Sequence, residues 1–251
     1  MAILIDKQKR VFTLHTKNST YQMKADELNV LLHTYYGKRT DESDKSKMIH
    51  FFDRGFSGNP YEIGMTDRTY SLDNLPQEYS CYGTGDHRIT ALKVENADGS
   101  MAAELRYLDH FVIHEKYGIP NLPAVYGGSG ETLVIVMEDP YTGIKAELYY
   151  GVLEDLDIIT RAVRIINHSE KAVSLQKVAS MNLDLTHGEF DWITLCGRYA
   201  MERGYCRDTI AHVIHSIGSV RGASSHQYNP FSIICEKHAT ETMGECYGVS
   251  F

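Results

Sequence analysis

The stretch TLVIVMEDPYTGIKAELYYGVL, from Thr132 to Leu153, decides the fold. Both halves carry the period-two pattern and the β-branched residues that are typical of strands. At the centre, Asp139–Gly143 supplies Pro140 for the first position of a turn and Gly143 for the left-handed position. The stretch therefore predicts two antiparallel strands joined by a short turn.

Four further segments carry the same signals, whereas helix signals are nearly absent. No segment repeats apolar residues at intervals of three and four between a capping residue and a closing glycine. Many closely spaced hairpins predict an all-β fold, a large antiparallel β-sandwich formed as one domain over residues 1–251. The other predicted hairpins are 10–16 with 20–26, the strands around Asp98-Gly99, the strands around Asn167–Lys171, and 231–240 with 245–251.

Residues 37–88 interrupt the strand pattern and predict one long loop. Its first part, 37–50, is rich in charge and reads GKRTDESDKSKMIH, which favours a solvated segment. The remainder, 51–88, is rich in Gly, Pro, Asp and aromatic residues. Long structureless segments in compact domains are usually functional or disordered, and the aromatic content disfavours disorder. We therefore expect an ordered loop that packs against another subunit or domain.

Charge and leader signals limit the function classes. The 251 residues include 33 acidic and 25 basic side chains, for a net charge of -8, which argues against nucleic-acid partners and anionic membranes. The N-terminal MAILIDKQKR lacks the apolar core of a signal peptide, and no apolar run is long enough to span a bilayer. A soluble, cytoplasmic protein is expected.

Motifs for metal, cofactor and nucleophile chemistry are missing. The five cysteines form no C-x-x-C pair, and the twelve histidines show no metal-ligand spacing, so we expect reduced cysteines and neither a metal nor a cofactor. No G-x-S-x-G elbow, Walker loop or dinucleotide fingerprint is present. Acids at 154–157 and 183–191 could form a hydrolytic pair, but acidic turns are usually solvated.

A polar cluster lies near the C-terminus in RGASSHQYNPF, from Arg221 to Phe231. Its donors and acceptors could bind a polyhydroxylated ligand or fix a domain junction. Alternatively, its Ser and Asn side chains satisfy the backbone of a connection between strands. The residue types alone leave these alternatives open.

Several motifs together resemble one enzyme family. They are LLHTYYGK (31–38), TDRTYSLDNLPQEYSCYGTGDHR (66–88), RAVRIINHS (161–169), RGASSHQYNPF (221–231) and ATETMGECYGVSF (239–251). In this order they are similar to the N-terminal domain of the α-galactosidases of glycoside hydrolase family 36. The resemblance implies a galactose-mutarotase-like supersandwich, followed in the whole enzyme by a catalytic (β/α)8 barrel and a small C-terminal domain.

The resemblance places no catalytic residue in this chain. The family's nucleophile lies in a Lys-Trp-Asp stretch of the barrel, whereas the single tryptophan here, Trp192, lies in EFDWITL. The resemblance also implies that the loop FFDRGFSGNP lines the galactose pocket of a neighbouring subunit. Asp53 would accept sugar hydroxyls, beside Arg54 and Phe56, unless Asp53 merely pairs with Arg54. Asp67 and Arg68 are further substrate-binding candidates, as is Tyr199, where the family often has tryptophan.

The predicted whole protein is a bacterial α-galactosidase that removes terminal α-linked galactose from melibiose or raffinose by a retaining mechanism. This chain would scaffold a homotetramer and bind its own catalytic barrel. One rival hypothesis is an independent carbohydrate-binding sandwich. A second is a mutarotase-like epimerase, with His226 as the acid and Glu236 as the base in one cleft.

Overall fold

The computed structural model describes residues 2–125, 130–186, 188–221 and 226–251. Within these ranges the chain forms fourteen strands and no α-helix, which confirms the all-β prediction. Short 3₁₀ turns occur at Lys45–Met48 and Glu154–Leu156. The strands are β1 Ile3–Asp6, β2 Val11–His15, β3 Ser19–Ala25, β4 Leu31–Lys38, β5 Leu92–Glu95, β6 Arg106–Ile113, β7 Gly130–Glu138, β8 Ile144–Leu153, β9 Ile158–Asn167, β10 Ser174–Val178, β11 Phe190–Arg198, β12 Met201–Thr209, β13 Tyr228–Glu236 and β14 Cys246–Ser250.

The chain divides into two compact units, Met1–Asp184 and Leu185–Phe251. The first unit contains two four-stranded sheets, β1-β2-β3-β4 and β6-β7-β8-β9, and the two-stranded sheet β10-β5. The second unit contains one four-stranded sheet in the order β12-β11-β13-β14. All pairings between these strands are antiparallel. One domain over residues 1–251 stays a prediction.

The hairpin predicted over Thr132–Leu153 forms as expected. Strands β7 and β8 pair along their length, ending at Glu138 opposite Lys145. Gly143 takes the left-handed conformation with φ 74°, and its amide donates to the carbonyl of Asp139 at 3.0 Å. The buried Asp139 carboxylate accepts the amides of Tyr141 at 2.9 Å and Thr142 at 3.2 Å. Turn chemistry therefore sets the register of this hairpin.

The core of the first unit lies between its two four-stranded sheets. One continuous cluster of buried side chains contains Phe12, Leu14 and Met23 from the first sheet and Leu133 and Leu148 from the second. These residues come from alternating positions of their strands, as expected for sheets that pack face to face. Each such side chain contributes roughly 1.5–3 kcal/mol through burial.

Two of the five predicted hairpins are wrong in their pairing. The turn before Ser100 forms, since the Asn96 amide donates to the Ser100 carbonyl at 2.8 Å, but β5 pairs with β10 instead of β6. Similarly, β9 pairs with β8 and not with β10. Turn residues determine local reversals, whereas the pairing of β5, which buries Leu92 and Val94 in the core, is made with a strand distant in sequence. The hairpins β2–β3 and β13–β14 are confirmed.

The long loop is ordered, and its second half packs against the strands of its own unit. Leu72 and Leu75 form a buried cluster with Leu32 of β4 and with Val30, which directly precedes β4. The amide of Glu78 donates to the carbonyl of Leu31 at 2.9 Å. In contrast, four aromatic side chains in the first half are more than two-fifths exposed: Phe51, Phe52, Phe56 and Tyr61. In the described part of the chain, no helix is long and apolar enough to cross a membrane.

Gly58 joins the two halves of this loop, and Gly58→Ala is expected to loosen it. Gly58 has φ +72°, and an added Cβ would lie 2.7 Å from both the Gly85 carbonyl oxygen and Ser71 Oγ. The matched control is Gly55→Ala, because Gly55 has φ +67° but nothing within 4 Å of an added Cβ. Both variants suffer the left-handed strain, but only Gly58→Ala must also move backbone.

We therefore expect Gly58→Ala to lower the free energy of unfolding by about 1–3 kcal/mol more than Gly55→Ala does. Urea unfolding of both variants measures this difference. Equal losses in the two variants would contradict a tight junction at Gly58.

Candidate functional site

Asp53 lies at the start of an exposed turn in the long loop. Its Oδ1 accepts the Gly55 amide at 2.8 Å and Arg68 Nε at 3.0 Å. Both side chains of the ion pair are exposed, Asp53 by 57% and Arg68 by 56%. The Gly55 amide and the Arg68 guanidinium lower the pKa of Asp53, so its carboxylate is ionised at neutral pH.

Phe56 completes a compact surface group with this ion pair. The guanidinium carbon of Arg68 lies 5.5 Å from the centroid of the Phe56 ring, within cation–π range. We call Asp53, Phe56 and Arg68 the loop cluster. Asp53 Oδ2 accepts no hydrogen bond from the residues that the structure describes. The loop cluster therefore presents an anionic acceptor, a cation and an apolar ring on one exposed surface.

Arg54 and Asp67 serve the loop backbone. Arg54 Nη2 binds Asp73 Oδ2 at 2.5 Å, and the Arg54 amide donates to the Arg68 carbonyl at 3.0 Å. Asp67 Oδ1 accepts the amide of Thr69 at 2.8 Å. The alternative that Asp53 merely pairs with Arg54 is therefore wrong. The partner of Asp53 is Arg68, which the order of residues along the chain does not indicate.

Tyr199 lies in the second unit, in the turn between β11 and β12. The turn is closed by the pairing of Arg198 with Met201, and Ala200 takes a left-handed φ of 63°. This conformation leaves the Tyr199 side chain 91% exposed. Its aromatic face is free to stack on a ligand or another protein surface.

The C-terminal polar cluster is described only in part. Residues 222–225, which include Ser224 and Ser225, lie outside the described residues. Tyr228 and Asn229 begin β13, and the carbonyl of Gln227 accepts the amide of Gly197 at 3.3 Å. Part of this cluster therefore forms the start of a strand.

The residues proposed for epimerase chemistry do not share a cleft. His226 precedes β13 and Glu236 ends it. Strand β13 extends by about 3.3 Å per residue, so Tyr228 and Glu236, eight positions apart, are separated by roughly 26 Å. His226 lies before Tyr228, at the far end of the strand from Glu236. Glu236 Oε2 instead accepts the amide of Glu245 at 3.1 Å. The mutarotase-like arrangement is therefore wrong, because an extended strand separates its acid from its base.

The acidic segments that could have formed a hydrolytic pair have structural partners instead. Asp157 Oδ1 accepts the amide of Asn18 at 2.7 Å. Asp184 pairs with Arg88 at 3.0 Å, and Asp191 pairs with Arg207 at 2.7 Å. Over residues 2–125, 130–186, 188–221 and 226–251, no group of three or more His, Cys, Asp or Glu side chains could hold a metal ion.

A buried ionic network was missed by the sequence analysis. Glu78 is 0% exposed, and its carboxylate binds Arg161 Nη2 at 2.8 Å. The hydroxyls of Tyr21 and Tyr150 donate to the same carboxylate at 2.7 and 2.8 Å. Nδ1 of His33 lies 3.4 Å from Glu78 Oε2. The network joins the long loop to strands of both four-stranded sheets of the first unit.

This network explains the ionisation of Glu78. Burial alone would raise its pKa, but the charge of Arg161, the hydrogen bond from Tyr21 and the nearby imidazole of His33 together outweigh burial, so the pKa is lowered. One signal was available in the sequence. Arg161 occupies an inward position in the alternation of β9, between Ile159 and Val163, where an arginine requires a buried acid. Which acid reaches it depends on the path of the loop.

The fold and the loop cluster define a class: an all-β sandwich domain that presents a carboxylate, a guanidinium and an aromatic ring from one long ordered loop. Residues 29–251 match the family model described as the glycosyl hydrolase family 36 N-terminal domain. The chain belongs to this family, which confirms the resemblance found in its motifs.

Similar proteins cover the whole chain. It is 47% identical over 253 residues to the bifunctional alpha-galactosidase/sucrose kinase AgaSK of Mediterraneibacter gnavus, which covers 100% of this chain and 27% of that protein. It is 36% identical over 254 residues to alpha-galactosidase AgaA of Geobacillus stearothermophilus, covering 100% of this chain and 34% of that protein. The chain therefore spans about a third or less of the length of these relatives.

Solved structures show the same fold. The galactosidase domain of AgaSK superposes with a TM-score of 0.94 at 46% identity, covering 98% of this chain and 34% of that one. A variant of AgaA from Geobacillus stearothermophilus in complex with raffinose superposes with a TM-score of 0.89 at 36% identity. That match covers 95% of this chain and 33% of the other.

Proposed function

We propose that this chain is the N-terminal domain of a bacterial, cytoplasmic α-galactosidase. The main support is that the entire chain matches about a third of the length of AgaA and a smaller share of the length of AgaSK. Both proteins are named as alpha-galactosidases. The whole enzyme hydrolyses terminal α-linked galactose in oligosaccharides with retention at the anomeric carbon. Raffinose and stachyose, which are bound in structures of AgaA variants, are the model substrates.

In this proposal the chemistry takes place outside the chain. Retaining hydrolysis needs two carboxyl groups about 5–5.5 Å apart, one as nucleophile and one as acid and base. Three of the acids in the segments considered for such a pair, Asp157, Asp184 and Asp191, are held by Asn18, Arg88 and Arg207. A catalytic barrel elsewhere in the protein supplies both carboxyl groups, and this chain scaffolds it.

The loop cluster contributes to substrate binding in a neighbouring subunit. Ionised Asp53 accepts hydrogen bonds from sugar hydroxyls through Oδ2, and Phe56 offers an apolar face to the ring. The cluster is exposed on this chain, so a closed sugar pocket needs a second surface. The exposed aromatics Phe51 and Phe52 beside it support contact with that surface in a homotetramer.

Arg54, Asp67 and Tyr199 have supporting roles in this proposal. Arg54 and Asp67 hold the loop in shape through Asp73 and Thr69, and the exposed ring of Tyr199 stacks on a sugar. No metal ion or organic cofactor takes part, and neither nucleic acid nor membrane is a partner.

Activity assays on the whole protein and on the isolated chain test the proposal. We expect the whole protein to hydrolyse an aryl α-galactoside and the isolated chain to leave it intact. Coding DNA that continues beyond codon 251 into a barrel with a Lys-Trp-Asp segment would support this outcome. Hydrolysis by the isolated chain at a rate abolished by Asp53→Ala would contradict it.

An independent carbohydrate-binding module is the second candidate, favoured by the exposure of the loop cluster on this chain. Titration of the isolated chain with galactose separates the two. Saturable binding, together with a natural stop codon after Phe251, would favour the binding module over the α-galactosidase domain.

A further inference from the structure

Two cysteines in the second unit lie in direct contact. Sγ of Cys196 on β11 is 3.1 Å from Sγ of Cys206 on β12, and both residues are partly exposed. In the ladder, Cys196 lies opposite Gly204, and Cys206 lies opposite Thr194. The two cysteines are therefore diagonal neighbours on one face of the hairpin. Gly204 carries no side chain, so nothing at that position separates the two sulfurs.

The remaining three cysteines are poorly placed for redox chemistry or have a different partner. Cys81 is buried, so small-molecule disulfides cannot reach its thiol. Cys235 is also buried and lies directly opposite Cys246 on β14. In the described part of the chain, Cys196 and Cys206 are thus the contacting pair in which both members reach the surface.

We propose that Cys196 and Cys206 form a redox-active dithiol that small-molecule disulfides oxidise to a cross-strand disulfide. Their sulfurs need to approach by about 1 Å to reach the S–S bond length of about 2.05 Å. This inference is independent of the proposed function, since galactoside hydrolysis does not use either thiol. It also modifies the expectation of reduced cysteines, because the pair changes state with the redox potential around it.

The oxidation is a two-step thiol–disulfide exchange with a disulfide such as oxidised glutathione. The thiolate of one cysteine attacks a glutathione sulfur, which forms a mixed disulfide and releases one glutathione thiolate. The thiolate of the second cysteine then attacks the sulfur of the first and releases the second glutathione. The two protons lost by the cysteines are taken up by the two glutathione thiolates, and one disulfide is reduced as the other forms.

The disulfide would restrain the tip of the β11–β12 hairpin. Residues 197–205 lie between the two cysteines, and they include Tyr199. Closing this short segment covalently limits the conformations of the exposed turn. Oxidation is therefore expected to slow tryptic cleavage at Arg198 and Arg203 in the native protein.

Peptide mapping of the native whole protein tests the proposal. The protein is equilibrated with mixtures of oxidised and reduced glutathione, alkylated, digested with trypsin and analysed by mass spectrometry. Each of the five cysteines of this chain lies in its own tryptic peptide, which identifies any pairing among them: Cys81 in 69–88, Cys196 in 178–198, Cys206 in 204–207, Cys235 in 222–237 and Cys246 in the peptide that begins at His238. We expect a cross-link between 178–198 and 204–207 that reduced glutathione reverses.

Single variants provide the controls. Cys196→Ser and Cys206→Ser should each abolish the cross-link and leave the remaining thiol as a mixed disulfide with glutathione. Cys246→Ser should keep the cross-link. Circular dichroism spectra that match the wild type would show that each variant is folded.

Alkylation of both Cys196 and Cys206 at every glutathione ratio in the folded protein would overturn the proposal. A cross-link that forms only after unfolding in urea would overturn it as well.

Discussion

Replacing Glu78 by glutamine is expected to lower the free energy of unfolding by about 3–5 kcal/mol. The Glu78 carboxylate is completely buried and binds Arg161 at 2.8 Å, and two tyrosine hydroxyls donate to it. Glutamine keeps the shape but removes the charge, so the guanidinium is left buried without a counter-charge. Urea unfolding of the wild type and the variant measures the loss.

An exposed glutamate gives the matched control for this variant. Glu154 pairs with Arg39 at 3.5 Å, and both side chains are more than a third exposed. Glu154→Gln should therefore change the free energy of unfolding by no more than about 1 kcal/mol. If Glu78→Gln lowered the free energy of unfolding by no more than Glu154→Gln does, the buried Glu78–Arg161 pair would not have a structural role.

A double variant separates the ion pair from general disruption. Arg161→Met fills the same space without charge, so adding it to Glu78→Gln removes the unpaired cation. We expect the double variant to be more stable than Glu78→Gln alone, because the burial cost of Arg161 disappears. Additive losses from the two substitutions would argue against direct coupling.

The effect of Glu78 should also depend on pH. Its pKa in the folded protein is lowered from the ordinary value of 4.5, so its ionised form stabilises the fold above that value. This contribution is lost as the pH falls through the lower, folded-state pKa. The difference in unfolding free energy between the wild type and Glu78→Gln should therefore shrink in acid. A constant difference from neutral pH to well below 4.5 would contradict this linkage.

The second large effect is expected for Asp53→Ala in the whole protein, if it is the α-galactosidase that we propose. If Asp53 Oδ2 accepts a sugar hydroxyl, the lost charged hydrogen bond amounts to about 1.5–3 kcal/mol, or about 10- to 150-fold in kcat/KM. The unfolding free energy should change little, because Asp53 and its partner Arg68 are both exposed. Steady-state kinetics with an aryl α-galactoside and with raffinose measure the loss.

Asp98 provides a control in a similar local structure. Its Oδ1 accepts the Ser100 amide at 2.9 Å, as Asp53 Oδ1 accepts the Gly55 amide at 2.8 Å, and it lies on a different exposed turn. Asp98→Ala should keep the wild-type kcat/KM. Sedimentation of both variants checks that the oligomer is unchanged. An unaltered kcat/KM in Asp53→Ala would show that the loop cluster does not contact substrate.

The sequence by itself determined the fold class, the central hairpin and the family. Alternation at 132–153 predicts β7 and β8, and Pro140 with Gly143 predicts the turn between them, because both signals are local. The motifs quoted from residues 31 to 251 identify the family, which the match over 29–251 confirms. These inferences need only the spacing and type of nearby residues.

Only the tertiary structure decided which distant residues meet. β5 pairs with β10 across about eighty residues, and Glu78 finds Arg161 across a similar distance. Asp53 pairs with Arg68 although Arg54 is its neighbour, because the turn at Gly55 and the Arg54–Asp73 pair direct the two arginines apart. The Cys196–Cys206 contact likewise follows from strand register. Many residues and strands have the same local sequence signals as these partners. Burial in the core and strand register select among them, and both exist only in the folded chain.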